Sequence, residues 1–174
     1  IKTSQIALKT AAEMKRIMRI CWETNGNMRK EFAERAAELS FTSGGVVKFD
    51  LKAWDENLNR VLCGVSNKST LKSFEMIGER YFKERPEVPM LTASTLLVPG
   101  YIDSEEIEGI ARFISGIDPT IPYTLLAFCP QYVMNDLPTT SRRQASECYE
   151  TAKKYLEKVR IGNLHLLSTD SNYS

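Results

Sequence analysis

Gly44-Gly45-Val46-Val47-Lys48-Phe49-Asp50-Leu51-Lys52-Ala53 is the stretch on which the fold turns. It reads as a buried strand over 45–53 that ends in a carboxylate and an ammonium. Successive side chains of a strand point to opposite faces, so residues i and i+2 share one. Asp50 and Lys52 therefore project together from the strand's C-terminal end. In barrels and open α/β sheets of parallel strands, ligands bind at that end. An amino group for Asp50 and a carboxylate for Lys52 describe a small zwitterion. A surface ion pair at a strand end is the alternative that this stretch alone leaves open.

Helices and strands alternate on both sides of it. Residues 3–18 place Ile6, Ala7, Ala11, Met14 and Met18 at helical spacing. Arg19 to Thr24 is short, apolar and aromatic, as a buried strand should be. Asn25-Gly26-Asn27 signals a turn, and Asn27 is placed to cap a helix over 28–40. Its core stripe is Met28, Phe32, Ala33, Ala36, Ala37 and Leu39. On the other side, 54–62 reads as a short helix or turn, and about 70–83 as a long helix that Pro86 ends. Strands follow within 88–98, at 123–128 and at 161–166. The helices between them are capped by Asp103 or Ser104 and closed by Gly116, then run from Thr140 or Ser141 to Val159. The polar tail from Ser168 is expected to fray.

Five strands alternating with helices imply a parallel sheet with helices packed against it. The expected fold class is α/β, either part of a TIM-like barrel or an open doubly wound sheet. A complete eight-stranded barrel takes ~250 residues, and this chain has 174. The opening helix has no strand before it, and the first residue is Ile1 rather than Met. We therefore expect a piece of something larger, with 1–167 as one portion of a barrel and 168–174 as a tail.

Composition narrows the function classes. Hydrophobic residues make up 43% and charged residues 26%, which is ordinary for a globular chain. The net charge of +1 argues against a nucleic-acid or membrane surface, which carries a basic excess. No apolar run approaches the ~20 residues of a membrane span, and no signal peptide is visible. Cys21, Cys63, Cys129 and Cys148 show no metal spacing and suggest no disulfide framework, so free thiols in the cytoplasm are the expectation. His165, the only histidine, has no nucleophile motif beside it.

Polar residues stand where three strands pass into loops: Glu23-Thr24-Asn25-Gly26, Asp50-Leu51-Lys52 and Phe128-Cys129-Pro130. Each has a plain reading: a cap, a turn, a small core cysteine. Together they describe the ligand-binding rim of a parallel sheet.

These residues resemble radical S-adenosylmethionine (SAM) enzymes of the pyruvate formate-lyase activating type, from about residue 20 to 167. Beside those rims, the resemblance rests on Val47-Lys48-Phe49-Asp50-Leu51-Lys52, Leu62-Cys63-Gly64-Val65-Ser66-Asn67 and Thr95-Leu96-Leu97-Val98-Pro99-Gly100 with Asp103. Gln131-Tyr132, Met134-Asn135-Asp136-Leu137-Pro138 and Ile161-Gly162-Asn163 complete it. It implies a partial (β/α)6 barrel in which a [4Fe–4S] cluster binds SAM and cleaves it to a 5′-deoxyadenosyl radical. It also implies a glycyl radical enzyme as substrate and an electron donor such as flavodoxin or ferredoxin. Glu23 and Asp50 would meet the amino group or ribose of SAM and Lys52 its carboxylate, with Thr24, Asn25 and Cys129 also among the cofactor-binding residues. Cys129 stands where these relatives usually carry a histidine. The family's CxxxCxxC triplet and GGE segment are absent and are expected upstream of Ile1. The chain alone is thus expected to bind no cluster, to hold no catalytic residue and to be inactive, with an open sheet edge prone to self-association. A non-catalytic α/β domain binding a small ligand or a partner, or a degenerate relative, is the alternative.

Overall fold

The computed structural model describes residues 1–85 and 87–169. Pro86, expected to end a helix, and residues 170–174 of the expected tail lie outside them. The elements run α1 (Lys2–Glu13), β1 (Trp22–Thr24), α2 (Lys30–Ser43), β2 (Val47–Asp50), α3 (Glu56–Cys63) and α4 (Lys68–Ile77), then β3 (Leu91–Leu97), α5 (Ser104–Ile117), β4 (Tyr123–Ala127), α6 (Arg142–Lys153) and β5 (Val159–Gly162). The five strands are parallel and form one sheet in the order β1-β2-β3-β4-β5. A doubly wound sheet reverses its strand order at a switch point. This order never reverses, which is the barrel type of connection.

The chain divides into two compact units, Ile1–Asp50 with Lys68–Thr92 and Leu51–Asn67 with the residues from Ala93 onward. In the first unit, α2 presents small residues to the core: Ala33, Ala36, Ala37 and Ser40 are buried, while Phe32 is exposed. Small side chains let the helix lie close to its neighbours. At Gly45 the ideal Cβ position lies 1.8 Å from the carbonyl oxygen of Ile20, so only glycine passes there. Arg85 donates to the carbonyls of Ser40, Phe41 and Gly45 and so satisfies the end of α2. Phe49 and Phe74 meet edge to face at 5.4 Å. In the second unit, Ile107, Ile110, Ala111 and Ile114 of α5 are fully buried, as are Ala145, Cys148 and Ala152 of α6. The fully buried face of β4 carries Tyr123 and Leu125.

Several boundaries differ from the expected ones. α1 stops at Glu13, and Ile17 beyond it is 92% exposed. β1 has three residues rather than six, with Cys21 and Glu23 exposed: it is an edge strand, half covered, not a buried one. α2 begins at Lys30 behind Arg29, without a side-chain cap from Asn27. α4 runs on into a π-helical turn over Gly78–Phe82. Of the two candidate caps of α5, Asp103 does the capping, accepting from the amides of Glu105 and Glu106 at 3.0 and 3.2 Å. That helix runs through Gly116 to Ile117. α6 ends at Lys153, and Val159 opens β5 instead. β5 closes at Gly162, and Leu164–Leu166 form a 3₁₀ turn. Ser168 pairs with the chain before α6: its amide donates to Thr140 at 3.0 Å and its carbonyl accepts from Arg142 at 3.1 Å.

Candidate functional site

In the first unit, β1 lies beside β2 with Glu23 opposite Lys48 and Thr24 opposite Phe49. Paired residues share a face, and Lys48 Nζ stands 3.5 Å from Glu23 Oε1. The Glu23 side chain is 79% exposed, so this pair contributes at most about 1 kcal/mol. Beyond Thr24 the chain turns sharply. The Gly26 amide donates to Thr24 Oγ1 at 3.0 Å, and the Asn27 amide to Asn25 Oδ1 at 3.0 Å. Short polar side chains fold back in this way to stabilise turns. Thr70 Oγ1 donates to the Asn25 carbonyl at 2.7 Å and ties the turn to α4. Gly26 has φ +71°, and its ideal Cβ position lies 2.6 Å from the Phe49 ring. Thr24 and Asn25 thus spend their acceptors inside the turn. Asp50 is the last residue of β2 and is half-exposed.

Lys52 belongs to the second unit. The strand was expected to reach Ala53; it ends at Asp50, so Lys52 lies past the ladder. Burial still alternates, with Leu51 and Ala53 buried and Lys52 half-exposed between them. One backbone bond to β3 and several side-chain bonds hold this segment. The Leu51 amide donates to Ser94 O at 2.9 Å, and Thr95 Oγ1 donates to Leu51 O at 2.7 Å. Thr95 Oγ1 in turn accepts from Tyr123 OH at 2.7 Å. Asn67 Nδ2 donates to the carbonyls of Ala53 and Trp54 at 3.1 and 2.8 Å. Glu106 accepts from the Trp54 amide at 2.6 Å and from the Asp55 amide at 3.2 Å. The backbone on both sides of Lys52 is gripped, while its side chain remains accessible.

At the end of β4, the Phe128 amide donates to Thr140 Oγ1 at 2.7 Å, and Thr140 Oγ1 donates to Leu97 O at 2.7 Å. One buried hydroxyl joins the ends of two strands, and half-buried Cys129 follows directly. The sequence names Thr95 and Asn67 only within the motifs of the resemblance and Thr140 only as a helix start; that these three and Glu106 hold the neighbouring backbone is seen in the structure. A hydroxyl inside the apolar run Leu91–Leu97 was a usable signal, because a buried hydroxyl needs a partner. Glu106 gave none: its place in the first turn of α5 already explained a carboxylate.

Burial pushes the Glu106 carboxyl up, against the two amides that pull it down. Burial also pushes up the Cys63 thiol, opposed by the charge of Lys52. The Cys148 thiol is pushed up to about 12, first by burial. A [4Fe–4S] cluster takes thiolate ligands. Among the described residues no group of three or more His, Cys, Asp or Glu could hold a metal ion, and the cysteines present do not fit the cluster. No helix among the described residues is long and apolar enough to cross a membrane.

No family model matches the chain. It is 32% identical over 114 residues to a "putative glycyl-radical enzyme activating enzyme" of Methanocaldococcus jannaschii, a match covering 65% of this chain and 42% of that protein. The resemblance to radical SAM activating enzymes holds. Among solved structures, a domain of pyruvate-formate lyase-activating enzyme from Bacteroides vulgatus superposes with a TM-score of 0.69 at 21% identity, over 90% of this chain and 88% of that one. A radical SAM methyltransferase from Sphaerobacter thermophilus gives 0.64 at 19% identity, over 85% of this chain and 41% of that one. Streptococcus suis SuiB, bound to S-adenosylmethionine, gives 0.63 at 16% identity, over 91% of this chain and 36% of that one. These structures establish the fold, that of the radical SAM partial barrel. The chain spans 42% of the length of the curated relative it matches.

Proposed function

We propose that this chain is the part of a glycyl-radical-activating enzyme that holds the methionyl and adenosyl groups of SAM. The observation that carries the proposal is the 32% identity to a glycyl-radical enzyme activating enzyme over 114 residues. In this reading the Lys52 ammonium binds the methionyl carboxylate, a charge-assisted bond suited to a sheltered rim. Asp50 and Glu23 receive the amino group or ribose, Thr24 and Asn25 shape the turn beside them, and Cys129 lines the site where relatives carry a histidine. The chemistry of the family's [4Fe–4S] cluster is reductive cleavage of SAM to a 5′-deoxyadenosyl radical. Its ligands are not among the residues of this chain, which act as binding and orienting groups. The partners are a glycyl radical enzyme and an electron donor such as flavodoxin or ferredoxin, in the cytoplasm.

The test is titration of SAM into the cluster-loaded whole protein. A hydrogen bond to a charged group is worth about 1.5–3 kcal/mol, so Lys52→Ala should weaken SAM roughly 10- to 100-fold. Unchanged affinity in that variant would sink the assignment. Absence of SAM binding in the wild type would leave a plain ligand- or partner-binding domain.

A further inference from the structure

β4 and β5 carry an accessible face that the proposed SAM contacts do not use. Paired residues on this side are Ser94 with Thr124 and Thr124 with Arg160, then Leu96 with Leu126 and Leu126 with Gly162. The opposite face of β4, with Tyr123 and Leu125, is buried. The Ser94–Thr124–Arg160 row lies on the other face of the strands from these two residues. Ser94 at the far end of the row is buried, Thr124, Leu96 and Leu126 are half-exposed, and Arg160 is exposed.

Arg160 does not hang free over this row. Its Nε donates to Thr124 Oγ1 at 2.9 Å, which draws the side chain along the row toward β4. A single Nε bond leaves the two Nη groups to offer their hydrogens side by side, the geometry that suits a carboxylate. Gly162 adds no side chain beside it, and its ideal Cβ position is taken up by Leu126 Cδ2 at 2.8 Å. A cationic fork thus lies next to the Thr124 hydroxyl, with a leucine pair one layer toward the strands' C-terminal ends. Same-face layers are about 6.6 Å apart.

We propose that Arg160, oriented by Thr124, is an anion-binding residue that receives a carboxylate of the substrate. The aliphatic carbons next to that carboxylate then rest on Leu96 and Leu126, one layer nearer the rim. The place of this site in turnover rests on the radical SAM reading; its affinity for carboxylates does not. Lysine would supply the charge without the fork, so the arginine marks a planar oxyanion rather than a point charge.

The experiment is NMR titration of the ¹⁵N-labelled chain, following the Arg160 Nε–Hε signal and the Thr124 and Leu126 amides. Sodium acetate is the small-acid probe, a terminally blocked glutamyl peptide the polypeptide probe, and acetamide the neutral control. We expect saturable shifts with acetate or with the peptide, the stronger response naming the source of the carboxylate, and none with acetamide. In Arg160→Gln the Thr124 and Leu126 shifts should vanish. In Thr124→Val, which frees Nε, the apparent affinity should fall several-fold with Arg160 still in place. Equal shifts with acetamide, no saturable response to either carboxylate, or an undiminished response in Arg160→Gln would overturn the proposal. Unchanged SAM affinity in Lys52→Ala sinks only the SAM reading, so the two can fail separately.

Discussion

Thr95→Val tests the buried relay that holds the backbone before Lys52. The substitution keeps shape and volume but removes the hydroxyl that donates to Leu51 O and accepts from Tyr123 OH. Thr95 and Tyr123 are 1% and 0% exposed, so water cannot replace what is lost. Two groups are orphaned at once, a carbonyl oxygen and a phenol. Each unsatisfied buried group costs about 1–3 kcal/mol, so the variant should lose roughly 2–6 kcal/mol. Tyr123→Phe removes the phenol and leaves Thr95 bonded to Leu51, so it should cost only about 1 kcal/mol. When Tyr123→Phe is already present, Thr95→Val orphans the carbonyl alone and should cost about 1–3 kcal/mol. The double-mutant cycle should therefore show a coupling on the order of 1 kcal/mol or more. Urea unfolding followed by circular dichroism, with m-values compared across the four proteins, measures each corner. A Thr95→Val variant within about 0.5 kcal/mol of wild type, or a cycle that closes without coupling, refutes the reasoning.

Other consequences follow from the same structure. Gly26→Ala puts a Cβ at φ +71° and 2.6 Å from the Phe49 ring. Left-handed strain of ~1–2 kcal/mol and overpacking of ~1–3 kcal/mol should add, and urea midpoints read the loss. Glu106 has its pKa raised by burial. An acid whose folded pKa is raised contributes stability below its unfolded pKa and loses it as pH rises through the folded one. The stability of Glu106→Gln relative to wild type should therefore climb as pH is raised from about 4 toward neutrality, by comparison of urea midpoints across pH. A difference that stays flat or falls would contradict the burial-dominated shift.

The alternation of helix and strand was plain in the chain because core faces demand periodicity. Val47, Phe49, Leu51 and Ala53 are buried at every second position, as read from the sequence. Boundaries were poorer wherever tertiary context overrode local preference. Ile17 and Met18 extend the helical pattern of 3–18, yet α1 stops at Glu13 and leaves Ile17 exposed. Phe32 looks like a core residue by spacing, but close helix packing selects the alanines beside it instead. Glu23, Asp50 and Lys52 stood out in the sequence as polar residues expected at strand ends. The groups that hold the backbone of Asn25, Leu51 and Trp54 did not, since Thr70, Thr95, Asn67 and Glu106 reach their partners across 13 to 52 residues of sequence.

What the sequence determined by itself is the alternation of helix and strand and the buried alternate positions from Val47 to Ala53, with Asp50 and Lys52 between them, because period-2 burial is a local property. The extent of that strand was decided only by the folded chain. The ladder stops at Asp50; beyond it one backbone bond from Leu51 to Ser94 of β3 remains, and side chains from distant elements hold the rest of the Lys52 segment. The Arg160–Thr124 row belongs wholly to tertiary structure, since strand register alone brings 124 and 160 side by side.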